Sequence, residues 1–357
     1  MKICIFTHDM DTGRERLMPW RTLVEVAKVM NEQKGMEAVI LSSSDVVEIK
    51  EREFQNAPII EIPKGNASII NYFANNPFDV LFYPIAWRDG LKSIHFLKEF
   101  KCSKIAYVPG GVYNFSGVFS LLFTAGFSIT KPYILELITP KYLITRKFKK
   151  NGFTKIITFS SLTADFAKQS GWKEAEVVVS LPGKDSFNIL KNDDTPLKKH
   201  NLLNRKFYLF MGAPEEIRGS IQLLKAFDKY AEQNSEALLV YLMRTDNHSK
   251  YSIFEKALKK VKNKSKIIVI KAKLSHSQLK PFVERARAVV LPFLLVPSEI
   301  PLTYFEVLSC GTPIITCKNG GTYDYVKKAV IGCKSGNIKE LTSNMKILWE
   351  NDILYTN

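Results

Sequence analysis

The sequence predicts an α/β chain of two Rossmann-like, doubly wound domains facing a central cleft. Three observations carry that expectation. Short apolar runs alternate with amphipathic stretches from end to end, the alternation breaks once at the polar stretch 184–206, and 357 residues exceed one ordinary core. Before the break, strands are expected at 2–7, 37–42, 80–83, 104–108, 155–159 and 176–180, with helices over 18–33 and up to Ser170. After it, strands are expected at 207–211, 237–243, 266–270, 288–291 and 313–316, with helices at 220–233, 252–261 and 338–349. The division is therefore 1–185 and 186–357, joined by a linker at about 184–206 that is rich in Asn, Asp and Lys. Ligands of such folds sit beyond the carboxyl ends of the strands, which puts the expected site in the cleft.

Composition narrows the partners. Hydrophobic residues make up 46% and charged residues 24%, the balance of a globular protein, while a formal charge of +16 attracts polyanions. Nucleic acid is set aside, because the lysines are spread over many helix faces and no nucleic-acid module appears. Cys4, Cys102, Cys310, Cys317 and Cys333 are odd in number and scattered, which argues against a disulfide framework or a zinc site and for a reducing cytoplasm. The N-terminus lacks the apolar length and cleavage site of a secretory signal. No stretch reaches the ~18 to 20 apolar residues of a membrane span. The nearest, 117–129, is cut short by Lys131 and Pro132. A dehydrogenase would need GxGxxG after the first strand, and the loop His8-Asp9-Met10-Asp11-Thr12-Gly13-Arg14 does not provide it.

Chemistry concentrates at 297–313. Glu306 opens an apolar-periodic helix just after a turn containing Pro301. The first turn of a helix carries unpaired N–H groups and a partial positive charge, which suits a diphosphate. Two roles fit Glu306 equally: partner of Thr303 in a capping box, or ligand-binding carboxylate.

Glu306-Val307-Leu308-Ser309-Cys310-Gly311-Thr312-Pro313, with Pro292, Pro297, Ser298, Pro301, Leu302 and Thr303 before it, resembles the retaining family 4 (group 1) glycosyltransferases of the GT-B fold. Supporting matches are Lys155 to Ser160 in sequence, Gly171, Leu181-Pro182-Gly183-Lys184-Asp185, and Asn319-Gly320-Gly321-Thr322-Tyr323-Asp324. The resemblance implies a transferase in which Glu306 binds the ribose of a nucleoside-diphosphate sugar and amides of Leu302, Thr303 and Tyr304 hold its diphosphate. The family's first glutamate falls at Ser298 here, with Glu299 one place on, so these two are the candidates for the donor sugar. Gly212 and Arg218, in Met211-Gly212-Ala213-Pro214-Glu215-Glu216-Ile217-Arg218-Gly219, match the family's diphosphate-binding segment. Arg218 stands at the lysine position and suits phosphate bidentately. Ala213 replaces the usual arginine, and Arg244 is a candidate substitute.

In the first half, Gly13 remains of the family's glycine loop at the end of the first strand. His8, Gly110, Gly111 and Tyr113 are the acceptor-side candidates, with His8 read more readily as a strand-end histidine than as a base. Together the resemblance implies catalytic roles for Arg218, Glu299 and Glu306, no cofactor and no metal, and transfer with retention to a glycan or lipid-linked acceptor in surface polysaccharide or glycolipid assembly. The first domain then serves the acceptor and the second the nucleotide sugar. The rivals are a catalytically degenerate nucleotide-sugar-binding protein and a sugar-nucleotide epimerase of the same architecture. The C-terminal crossover helix of the family is expected to be short or absent.

The stretch 113–150 runs from apolar (Phe115, Phe119, Phe123, Phe127) to basic (Lys141, Arg146, Lys147, Lys149, Lys150). Such an order suits an interfacial element on an anionic membrane surface, hence a peripheral position on the inner face of the cell membrane. The alternative is a buried helix pair beside a charged loop.

Overall fold

The computed structural model describes residues 1–16, 20–85, 94–108, 110, 113, 115–180, 187–243, 251–296, 301–318 and 330–351. The chain forms two compact units, the first from Met1–Val112 and Ile138–Leu181, the second from Tyr113–Leu137, Pro182–Val296 and Ile300–Asn357.

Unit 1 is built on eight strands: β1 (Lys2–His8), β2 (Glu37–Ser44), β3 (Lys50–Phe54), β4 (Ala57–Pro63), β5 (Val80–Pro84), β6 (Ser103–Tyr107), β7 (Phe153–Thr158) and β8 (Val177–Val179). They lie in the order β3-β4-β2-β1-β5-β6-β7-β8, parallel except for the antiparallel β3–β4 edge pair. The sequence reading had no place for β3 and β4. Gln55 and Asn56, both at positive φ, turn the chain between them. Side chains of β1 alternate between two cores. Cys4 and Phe6 join one with Leu81 and Phe153, while Ile3 and Ile5 join the other with Val24 and Ile40. The helices in chain order are α1 (Trp20–Asn31), α2 (Asn66–Asn75), α3 (Phe115–Ala125), α4 (Phe127–Ile138), α5 (Lys141–Lys150) and α6 (Ser161–Gln169). Of these, α3 and all but the last residue of α4 belong to unit 2.

Unit 2 continues with α7 (Thr195–Lys199), β9 (Tyr208–Met211), α8 (Ser220–Ala231), β10 (Leu239–Met243), α9 (Ser252–Lys259), β11 (Ile267–Lys271), α10 (His276–Arg285) and β12 (Ala288–Leu291). It closes with α11 (Leu302–Ser309), β13 (Ile314–Cys317), β14 (Val330–Cys333) and α12 (Ile338–Glu350). Its sheet is all parallel, in the order β11-β10-β9-β12-β13-β14. Every residue of β9, β10, β12 and β13 is buried, as a sheet covered on both faces requires. Phe187, Leu197 and Leu202, from the polar stretch read as a linker, are buried in this core as well. The Tyr208 hydroxyl and the Arg287 Nε donate to carbonyls of Met345 and Leu348, which fixes α12 on the sheet.

Candidate functional site

In unit 2 the winding reverses between β9 and β12, because β10 and β11 lie on one side of β9 and β12 to β14 on the other. Loops that leave such neighbouring strands in opposite directions open a crevice at their carboxyl ends. The two loops here are 212–219, after β9, and 292–296, after β12. They are laced together, since the amides of Leu294 and Leu295 both donate to the Ile217 carbonyl, at 2.8 and 3.1 Å. Gly219, at φ 70°, closes the first loop. A Cβ on it would stand 1.9 Å from the Pro292 carbonyl oxygen, so only glycine lets the loops approach this closely. The Ser220 hydroxyl, buried at the start of α8, donates to the Pro214 carbonyl at 2.9 Å and holds the loop from within.

Arg218 projects from the short 3-10 turn Glu216–Arg218. Gly212 makes room for it, because a Cβ there would lie 2.8 Å from Arg218 Nη1. The guanidinium carbon stands 5.9 Å from the Phe293 ring centroid, and Nε is 3.4 Å from Glu215 Oε2. With 28% of its side chain exposed, the cation is partly desolvated and braced by an aromatic ring. Phe293 is buried and its ring lies 6.1 Å from that of Tyr304, which links the arginine to the first turn of α11. Neither Phe293 nor Pro292's close approach was read from the sequence; the only signal was the short Pro292–Phe293 step after an apolar strand.

The start of α11 differs from the capping box expected there. The helix begins at Leu302 with Pro301 as its N-cap, and no side chain caps it. Thr303 therefore sits inside the first turn, because the chain is still extended at Pro301 (ψ 126°) and turns helical at Leu302, one residue before it. Glu306 loses the capping role and lies buried in the second turn, 7% exposed. Tyr304's amide donates to the Pro301 carbonyl at 3.0 Å, so the first-turn donors for an anion are the amides of Leu302 and Thr303. The Tyr304 side chain is a core element. Thr316 Oγ1 gives its proton to the Leu291 carbonyl, so the Tyr304 hydroxyl must be the donor in their 2.5 Å contact. Burial holds that phenol well above its ordinary pKa, with the Thr316 bond opposing.

The remaining candidates are placed as follows. The Gly13 amide in unit 1 donates to Glu15 Oε2 at 2.6 Å, so an internal carboxylate occupies the donor that the glycine loop would offer a phosphate. Arg52 pairs with Glu15 at 3.5 Å and Glu61 at 2.6 Å, and its Nη2 donates to the Met10 carbonyl. His8 is exposed at the end of β1, with its ring edge-on to Phe6 at 4.9 Å and its carbonyl accepting from Trp20 Nε1. Tyr113 stacks edge-on against Tyr133 at 5.2 Å within unit 2, whereas Gly110 belongs to unit 1. Arg244, Ser298, Glu299 and Gly111 lie outside the described residues, as do 181–186 and 319–324.

Residues 193–357 match the family model described as "Glycosyl transferases group 1". No curated protein matches the sequence. Among solved structures, a sucrose-phosphate synthase from Thermosynechococcus elongatus superposes with a TM-score of 0.72 at 12% identity, over 99% of this chain and 91% of that one. An α,α-trehalose 6-phosphate synthase from Burkholderia multivorans gives 0.68 at 11%, over 99% and 92%. The S. aureus MnaA–UDP complex gives 0.60 at 13%, over 99% and 90%. At these identities the likeness shows the fold, which is the two-sheet GT-B architecture expected from the sequence.

Proposed function

We propose that the chain moves a sugar from a nucleoside-diphosphate sugar to a glycan or lipid-linked acceptor with retention, a reading supported by the match of residues 193–357 to the group 1 glycosyl transferase model. The observation that carries the reading is Arg218, partly desolvated over Phe293 at the winding reversal of unit 2, with Phe293 in turn against Tyr304 of α11. A guanidinium at the carboxyl end of a parallel sheet, linked through Phe293 to the helix that offers the Leu302 and Thr303 amides, suits a diphosphate. That the MnaA structure holds UDP on the same fold supports the same ligand class here.

In the proposed reaction Glu306 binds the ribose hydroxyls, and Arg218 with the Leu302 and Thr303 amides holds the diphosphate. Ser298 and Glu299 are assigned to the sugar hydroxyls, and Arg244 to the cation position that Ala213 leaves vacant. The bond from the anomeric carbon to the phosphate oxygen breaks as the acceptor oxygen attacks from the same face. The acceptor's proton passes to the departing diphosphate, whose charge Arg218 offsets, so the scheme needs no metal. We assign the product to surface polysaccharide or glycolipid assembly at the inner face of the cell membrane. The chain's +16 charge favours that anionic surface.

Incubation with a panel of nucleotide sugars and simple acceptors, with proton NMR of the product, tests this. The α-linked donor should give an α-linked product. An inverted anomer would sink the retaining scheme, and nucleotide-sugar binding without turnover on any acceptor would leave a binding protein.

A further inference from the structure

We infer that the α3–α4 hairpin of unit 2 is a bilayer-docking surface, which inserts a stripe of phenylalanines into an anionic lipid interface. The inference rests on the proposed membrane-surface function and changes where the contact lies. The sequence suggests one interfacial element, running from the phenylalanines into the basic run 141–150. The internal contacts assign them to different units, the phenylalanines to unit 2 and α5 to unit 1. In unit 1, α5 buries Ile144, Thr145 and Phe148, and Lys149 is committed to Glu176 at 2.7 Å and to the Trp172 ring.

What remains is a built apolar face. Phe115, Phe119 and Phe123 follow one another at four-residue spacing on α3 and are 77%, 62% and 76% exposed, and Phe127, 62% exposed, opens α4 across the Gly126 turn. Phe119 and Phe123 pack edge-to-face at 4.7 Å, so the stripe is a surface and not a set of loose side chains. Its opposite side is anchored to unit 2 by Val118 and Leu121 against Leu294 and Leu295, and by Gln222 Nε2 donating to Thr124 Oγ1 at 2.7 Å. A contiguous exposed apolar face of this kind marks an interaction site.

Charge selects its occupant. The only acid of the hairpin, Glu136, is buried, and its only base, Lys131, is exposed. Thr124, one residue beyond Phe123, lines a cleft of about 400 Å³ together with Lys225, Lys256 and Lys260. These three lysines are exposed and carry no ion pair among the described residues; the cleft's acid, Asp228, is engaged by Lys262 N and by Asn263. An aromatic stripe on a hairpin whose anchored flank borders unpaired lysines fits an anionic bilayer, with rings at the acyl boundary and ammonium groups available to the headgroups. A second copy of the chain would set these lysines against their own kind. No helix among the described residues is long and apolar enough to span a membrane, so the contact lies in the interface plane.

The test is flotation of the full chain with phosphatidylcholine vesicles, with and without phosphatidylglycerol. Wild type should float only with the anionic lipid. Phe119→Ser with Phe123→Ser should lower partition about tenfold or more, as loss of two buried rings requires. Lys256→Glu with Lys260→Glu should lower it similarly and weaken its salt dependence. Both double variants alter exposed residues, so their melting temperatures and nucleotide-sugar binding should match wild type. Wild-type flotation that survives the phenylalanine changes would overturn the inference. So would absence of flotation at low salt, or a lipid-free dimer that those changes dissolve. Failure of the donor reading would show separately, as flotation intact without response to any nucleotide sugar.

Discussion

Replacing Gly219 with alanine places a methyl carbon 1.9 Å from the Pro292 carbonyl oxygen and 2.8 Å from its carbon. Both are backbone atoms, so relief requires the loop 212–219 to move away from 292–296 by about 1 Å or more to regain ordinary contact distances. That movement strains the two bonds from Leu294 and Leu295 to the Ile217 carbonyl, each worth about 1 kcal/mol. Left-handed backbone for a residue with a Cβ adds about 1–2 kcal/mol. The total is roughly 3–4 kcal/mol, which for a unit of this size lowers Tm by roughly 6–16 °C. Gly311→Ala is the control. Gly311 has nearly the same φ, 71°, but nothing within 4 Å of a Cβ, so only the conformational cost of about 1–2 kcal/mol applies. Thermal unfolding followed by calorimetry reads the difference. Equal shifts for the two variants would refute the close approach of the loops, and with it the site built on them.

Two further outcomes follow from the same geometry. Arg218→Ala should lower kcat/KM by about 30- to 1,000-fold, the cost of losing a ~2–4 kcal/mol charge clamp on the leaving group, and steady-state kinetics within a few-fold of wild type would remove Arg218 from that role. Asp228 gives a pH signature. Burial pushes its carboxyl up, but the backbone and side-chain donors of Asn263 and the Lys262 amide outweigh this and hold it below the usual 3.8. A depressed folded pKa contributes stability that is complete above 3.8 and is lost as pH falls through the folded value. Asp228→Asn should therefore flatten the acid limb of unit 2's Tm profile, and superimposable acid limbs would contradict the assignment.

Parallel strands were legible in the sequence because burial on both faces writes them as unbroken apolar runs, as in Tyr208–Met211 and Ala288–Leu291. The edge pair β3–β4 is hidden in the sequence because four of the five residues of Lys50–Phe54 are charged and its two-residue Gln55–Asn56 turn carries no glycine. The Glu306 helix and the Arg218 loop were legible as motifs. The brace between them was not, because Phe293 meets Arg218 and Tyr304 only through the β9–β12 neighbourhood, which joins residues about eighty apart. The ownership of α3 and α4 was equally hidden. Their chain position lies in the first half, and only the packing of Val118 and Leu121 on Leu294 and Leu295 assigns them to unit 2.

Whether unit 2 holds a nucleotide sugar through Glu306 and Arg218 is tested most directly by ligand-dependent melting of wild type, Glu306→Gln and Arg218→Ala. At a hundredfold excess over Kd, a donor contributes about 2.7 kcal/mol, which should raise the wild-type Tm by roughly 5–11 °C for at least one sugar nucleotide. Both variants should lose most of that rise. A panel that moves the wild-type Tm by nothing, or one that raises all three proteins equally, would contradict the account.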